Sequence, residues 1–222
     1  GSGGLLGAFD SFVSEQSPEE LPTNWGRVRG RKVCVFTSTE HEFASVGAEW
    51  KNPLFDSQHE GLRWLIASLE RELRNEDLHL YIRIHPNLGN AHRSEEAQLL
   101  ALGNKNVTVI PSRSSVSTYR LIEESDTVLT FGSSTGIEAV FWGTPSILAG
   151  QSFYRDLGAT YVAESRDDLL RLLAADLQPT SKEGARKYAY YRATYGEKYM
   201  HVQADDTRYG KFKDHDLENF RE

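Results

Sequence analysis

From Val33 onward the chain alternates between short aliphatic and β-branched runs and segments whose apolar residues recur at helical spacing. The runs VCVFTS, LHLYIRIHP, NVTVIP, TVLTF, PSILA and TYVAE predict six strands. Between them, Phe55 to Arg74 carries Leu62, Leu65, Ile66, Leu69 and Leu73 at helical spacing. Further helices are predicted over Glu95 to Leu102, Tyr119 to Glu124, the segment around Glu138, and Asp167 to Leu177. Strands that are apolar without alternation must be covered on both faces, and intervening helices supply that cover. The expected fold class is therefore α/β, a doubly wound Rossmann-like parallel sheet of about six strands with helices on both faces. Such sheets bind ligands beyond the carboxyl ends of their strands, near the point where strand order reverses. The residues just after each run are where function is to be sought.

The expected boundaries are a lead-in or linker over 1–30, the α/β domain over 31–178 and a helical tail over 179–222. The lead-in is rich in Gly, Ser, Pro and charge, and its basic cluster (Arg27, Arg29, Arg31, Lys32) reads as a solvated approach to the first strand. Gly1-Ser2-Gly3-Gly4 reads as a cloning scar, so the chain is expected to be a segment of a longer cytoplasmic protein. The tail, predicted helical from Ser181 to Tyr199, holds tyrosines at 188, 190, 191, 195 and 199. They would either pack on the sheet domain or meet a neighbouring domain, and the charged last residues would fray.

The formal net charge of −7, from 25 basic and 32 acidic residues, argues against nucleic acid as a partner, because such binding rests on neutralising phosphates. No apolar run approaches the ~20 residues of a membrane span. The single cysteine, Cys34, lies inside the first apolar run and reads as a small buried hydrophobe. His41, His59, His79, His92, His201 and His215 lack metal-ligand spacing, so neither a metal nor another cofactor is expected.

Donors concentrate at the expected strand ends. The first ends in Thr37-Ser38-Thr39-Glu40-His41, and the second in His85-Pro86-Asn87, preceded by Arg83. The third ends in Pro111-Ser112-Arg113-Ser114-Ser115, and the fourth in Gly132-Ser133-Ser134-Thr135-Gly136. Hydroxyls, an imidazole and guanidinium groups on one edge are the inventory of an anion site. The fourth loop opens a helix, whose N-terminus presents unpaired N–H groups and about half a positive charge, so phosphate can bind there without a lysine. Ser133 and Ser134 would add hydroxyl donors, and Gly132 and Gly136 would let the backbone come close. His85 from the neighbouring strand, or Arg113, would supply the cation, and Ser38 belongs to the same set. Glu138, one turn into the helix, can accept two hydrogen bonds from a ribose diol. A purely local reading stands beside this one: a Ser or Thr N-cap, with Glu138 completing a capping box. The spacing fits neither a Walker loop nor Gly-x-Gly-x-x-Gly, which weighs against ATP hydrolysis and dehydrogenase chemistry.

Taken together, "RIHPN" and "FGSSTGIEAVFWGTPSI" resemble the nucleotide-binding C-terminal half of GT-B glycosyltransferases. The likeness is to bacterial capsule-polysaccharide and Kdo transferases and to the GT-B sialyltransferases, whose His-Pro and Ser-Ser motifs hold the CMP part of the donor. It covers roughly residues 33–178. The resemblance implies that His85 is catalytic, contacting the donor phosphate and helping to stabilise the leaving group. It implies that Ser133 and Ser134, with the Thr135 and Gly136 amides, bind phosphate, and that Glu138 matches the ribose-binding carboxylate. Gly143-Thr144-Pro145 resembles the turn leading into the next strand of that fold. The implied activity is transfer of a CMP-activated sugar, of the CMP-Kdo or CMP-sialic acid type, to a glycan or glycolipid acceptor in bacterial surface-polysaccharide synthesis. GT-B enzymes carry their acceptor site on a second, N-terminal domain. This chain has room for one, so the fragment is expected to bind nucleotide and to be inactive alone. Peripheral membrane association of the full-length protein is left open. So are two other readings, a domain like UDP-GlcNAc 2-epimerases or CDP-glycerol transferases, and a non-catalytic interaction module.

Overall fold

A computed structural model describes residues 16–38, 47, 50–72, 78–88, 93–195, 202–204, 210–213 and 215–216. In it the six apolar runs become β1 (Arg31–Phe36), β2 (Leu78–Arg83), β3 (Val107–Ile110), β4 (Thr127–Thr130), β5 (Ser146–Leu148) and β6 (Tyr161–Val162). All pair in parallel, in the order β3-β2-β1-β4-β5-β6. The connecting helices are α1 (Gln58–Glu72), α2 (Arg93–Leu100), α3 (Thr118–Glu124), α4 (Thr135–Trp142) and α5 (Arg166–Ala174), followed by α6 (Glu183–Thr194).

Every residue of β2 and β4 is buried, as two-sided cover requires. The pleat divides β1 between two cores. Val33 and Val35 face one layer, with Leu62 and Leu65 of α1, Leu99 of α2, and Leu169, Leu172 and Leu173 of α5. Cys34 and Phe36 face the other, with Leu121 and Ile122 of α3 and Ala139 of α4. Ile137 and Val140 of α4 extend that second layer onto Leu148, Tyr154 and Ala185 of α6. Gly143 closes α4 with φ 94°, its N–H reaching the carbonyls of Ala139 and Val140, a left-handed cap that favours glycine. Among the described residues, no helix is long and apolar enough to cross a membrane.

Three expectations change here. Residues 16–30 are part of the domain. Trp25 is buried, its ring 4.4 Å from that of Tyr81, and Leu21 and Val28 pack on the same cluster. Backbone bonds from Ser17 to Ser115 and from Ser117 to Glu20, at 2.8 and 2.9 Å, tie the segment down. A polar stretch with two or three large apolar residues shows no periodicity, so the anchor was invisible in sequence. The tail's helix runs Glu183–Thr194, residues 196–199 of the predicted helix lying outside the described residues, and Val202–Ala204, Gly210–Phe212 and His215–Asp216 (β7 to β9) form a small antiparallel sheet. Strands of two or three residues are too short to carry a period of two. Finally, β2 and β4 are not neighbours, because β1 lies between them.

Trp25→Ala is expected to cost about 3 kcal/mol of stability, the scale for a buried aromatic truncated to alanine. Urea denaturation of the two proteins measures it; a loss under about 1 kcal/mol would return residues 16–30 to the status of a linker.

Candidate functional site

Strand order reverses between β1 and β4. From β1 the chain moves outward through β2 and β3, then returns to β4 on the other side. The crevice of a doubly wound sheet opens there. Thr37 at the end of β1 and the loops after β2 and β4 lie at that edge, and each predicted residue can now be placed against it.

The β4–α4 loop lies at the crevice. Other helices of this chain cap themselves with serine: Ser117 Oγ accepts from the Arg120 N–H at 3.2 Å, and Ser165 Oγ from the Asp168 N–H at 3.1 Å. Ser134, at the same position of α4, makes no such bond. Its hydroxyl instead donates to Glu138 Oε1 at 3.0 Å. The local capping reading therefore does not account for Ser134. Glu138 is largely withdrawn from water, and that burial raises its carboxyl above the ordinary range, the Ser134 hydrogen bond offsetting only part.

Two backbone donors expected to face a ligand are used within the loop. The Thr135 N–H reaches Ser133 Oγ at 3.3 Å, and the Gly136 N–H reaches the Ser133 carbonyl at 3.1 Å. Gly136 serves packing. A Cβ there would lie 2.6 Å from the Tyr154 hydroxyl and 2.7 Å from Thr130 Oγ1, so only glycine lets α4 sit this close to β4.

Tyr154 was not singled out in sequence, and it shapes the loop from below. It is fully buried; its hydroxyl donates to the Ser133 carbonyl at 2.6 Å and lies 3.2 Å from Thr130 Oγ1. A tyrosine in a loop carries no pattern, and only the return of the β5 connection beneath α4 gives it this role.

His85 is held by its backbone and by its ring. Its N–H donates to Thr37 Oγ1, at the end of β1, at 2.8 Å. Pro86 follows in a turn closed by the Leu88 N–H on the His85 carbonyl at 3.0 Å, with Leu88 buried as its anchor. The Asn87 N–H donates to Nδ1 at 3.2 Å, which leaves the proton of the neutral ring on Nε2. With β1 between β2 and β4, two strand spacings separate the backbones of His85 and the Ser133 loop, about 10 Å.

The remaining candidates sit elsewhere. Ser38 is buried, and its amide and hydroxyl both meet Gln58 Oε1, at 2.8 and 3.4 Å, so it fastens the β1 loop to the start of α1. Arg113 follows the edge strand β3, about 14 Å in strand spacings from β4. Arg83 is buried and donates to the Pro111 and Ser114 carbonyls at 2.7 and 3.0 Å, its pKa pushed down to about 10 by burial, and so braces the β3 loop. Thr39, Glu40 and His41 lie outside the described residues.

The chain matches the family described as "Capsule polysaccharide biosynthesis protein" across residues 51–215. No curated protein matches it. Among solved structures it is similar to the β-Kdo 2,4 transferase KpsC of Thermosulfurimonas dismutans, at 16% identity and TM-score 0.44, over 85% of this chain and 48% of that one. It is also similar to S. aureus MnaA in complex with UDP, at 16% identity and TM-score 0.47, over 86% and 53%. A third is the UDP-GlcNAc 2-epimerase of Methanocaldococcus jannaschii, solved with UDP-GlcNAc and UDP, at 13% identity and TM-score 0.43, over 85% and 52%. The chain thus spans about half the length of these proteins.

A carboxyl whose folded pKa exceeds its unfolded one costs stability at neutral pH; the cost shrinks as pH falls through the raised value and is absent below the unfolded value. Glu138→Gln should therefore melt higher than the wild type at pH 7, and the two should converge below about pH 4. Melting curves across that range check the sign. A lower melting temperature for the glutamine variant at pH 7 would mean that the carboxylate stabilises the fold.

Proposed function

The chain belongs to the capsule polysaccharide biosynthesis protein family, and on that premise we propose that it is the donor-binding half of a glycosyltransferase that uses a CMP-activated sugar of the CMP-Kdo or CMP-sialic acid type. The observation that carries this reading is the Ser134–Glu138 pair. A serine at a helix N-terminus makes no side-chain cap and turns instead to a largely buried carboxylate, at the point where strand order reverses. In this reading the hydroxyls of Ser133 and Ser134 turn from Thr135 and Glu138 to donate to the donor phosphate. Glu138 accepts from the ribose diol, and the Nε2–H of His85 approaches the phosphate from across the crevice.

Breaking the sugar–phosphate bond builds negative charge on the departing phosphate. The serine hydroxyls at the start of α4, together with the His85 ring, stabilise that charge, and such electrostatic stabilisation is commonly the largest catalytic contribution. The base that takes the acceptor's proton then comes from a facing domain. A span of about half the matched proteins' length is consistent with that division. Peripheral membrane association of the longer protein and a cytoplasmic location belong to the same proposal.

Calorimetric titration with CMP, UMP, UDP and AMP tests it: CMP should bind the 222-residue chain best. Preference for UDP would favour the epimerase-like reading, and silence from all four would favour an interaction module. Ser134→Ala and His85→Ala should each weaken nucleotide binding by about 1.5–3 kcal/mol, the loss of one donor to a charged acceptor, while the protein remains folded. In an assembled two-domain enzyme, His85→Ala should lower turnover more than donor affinity; unchanged turnover would remove its catalytic role.

A further inference from the structure

In the loop after β5, next to the Tyr154 that holds the Ser133 carbonyl, begins an aromatic pair. Phe153 is 57% exposed although both of its chain neighbours, Ser152 and Tyr154, are buried. Its ring lies 4.2 Å from that of Trp50, tilted by 46°, so that the two form an open corner. A large apolar ring left in water on a rigid loop is the kind of surface that ligands use.

The corner is firmly held. Asn52 ties the Trp50 loop down, donating from Nδ2 to the Ala149 carbonyl at 3.0 Å and accepting from the N–H groups of Leu54 and Phe55 at 2.8 and 3.1 Å. Arg155 donates to the Gly150 carbonyl at 3.1 Å. Gly150 itself is pressed against β4, where a Cβ would lie 2.1 Å from the Phe131 carbonyl oxygen. Phe153 and Tyr154 thus part from one loop, Tyr154 buried with its hydroxyl on the Ser133 carbonyl and Phe153 exposed against Trp50.

The layers of the sheet say which part of a ligand reaches this corner. Glu138, with Tyr154 and Tyr188 close enough to feel its charge, belongs to the layer of α3, α4 and α6. The Trp50 loop runs into Leu54, Phe55 and α1, and Asn52 pins Ala149; these belong to the opposite layer. A nucleotide-sugar whose ribose is on Glu138 and whose phosphate is on Ser133 and Ser134 has its nucleoside on the first side. What continues past the phosphate toward the second side is the sugar. Resting on the nucleotide-sugar reading above, we infer that Phe153 and Trp50 form the platform against which the C–H face of the transferred sugar ring packs. The phosphate loop supplies polar anchoring, and the corner supplies apolar contact specific to the sugar.

The test compares matched ligands with and without the sugar: CMP against CMP-N-acetylneuraminic acid, and UDP against UDP-N-acetylglucosamine. Each is titrated into the wild type, Phe153→Ala, Trp50→Ala and Phe153→Trp. For whichever pair binds, Phe153→Ala should weaken the nucleotide-sugar roughly three- to tenfold, the scale of one aromatic contact, and leave the bare nucleotide unchanged. Phe153→Trp should retain the sugar contribution. Equal loss on both members of a pair would assign the corner to the nucleoside and overturn the inference, as would no loss on either while the nucleotide still binds. A wild type that binds none of the four would overturn the nucleotide reading itself, and this one with it.

Discussion

The pairing of β1 with β4 is the contact on which the rest of the molecule depends. Val33, Cys34, Val35 and Phe36 lie in parallel register with Thr127, Val128, Leu129 and Thr130. These two strands are about ninety positions apart in the chain, and their pairing divides the sheet into two arms that wind in opposite directions. Parallel strands can be joined only through long crossovers, and here the crossovers from the two strands leave in opposite senses. The gap between them is where a crevice opens at the carboxyl edge. The crevice is therefore a consequence of topology before any side chain is considered.

The sequence then fills that crevice with polar groups, each held by a neighbour. Thr37 fixes the His85 backbone and Tyr154 fixes the Ser133 carbonyl, while Gln58 fastens the buried Ser38 behind them. These supports come from the ends of β1 and β5 and from the first turn of α1, on both sides of the residues they hold. Groups held this way are rigid, because moving any of them breaks a hydrogen bond as well as a contact. Gly136 and Gly150 act in the same way through absence. Each has a neighbour well inside contact distance of where a side chain would begin, so the loops after β4 and β5 close on one another. The cost of this closeness is a largely buried Glu138, whose carboxylate the fold holds against its preference for water.

Much of the architecture was legible in the chain because burial on both faces leaves a direct mark: six apolar runs, and leucines at helical spacing between them. All six strands and the helices between them lie where those marks fall, with ends shifted by a few residues. What left no mark was anything held by one or two residues. Trp25 anchors the segment before β1 through a single ring against Tyr81. The tail's tyrosines divide, Tyr188 meeting Tyr154 at 5.7 Å while Tyr190 and Tyr195 stay exposed, a split decided by which side of α6 faces α4.

The candidate site divides along the same line. That donors gather at strand ends was determined by the sequence, since strand ends follow from the apolar runs and the residue after each run can be read directly. Which donors share a site was decided by the order of the strands, because lateral position in a sheet is set by pairing between segments far apart in the chain. Sequence order suggested that His85 and Ser134 stood on adjacent strands and that Arg113 was within reach of the phosphate loop. The tertiary structure put β1 between the first two and sent Arg113 to the edge. It also decided where the Ser134 hydroxyl goes, for a hydroxyl at a helix start can turn either to the backbone or to a side chain one turn on. In this fold it turns to Glu138.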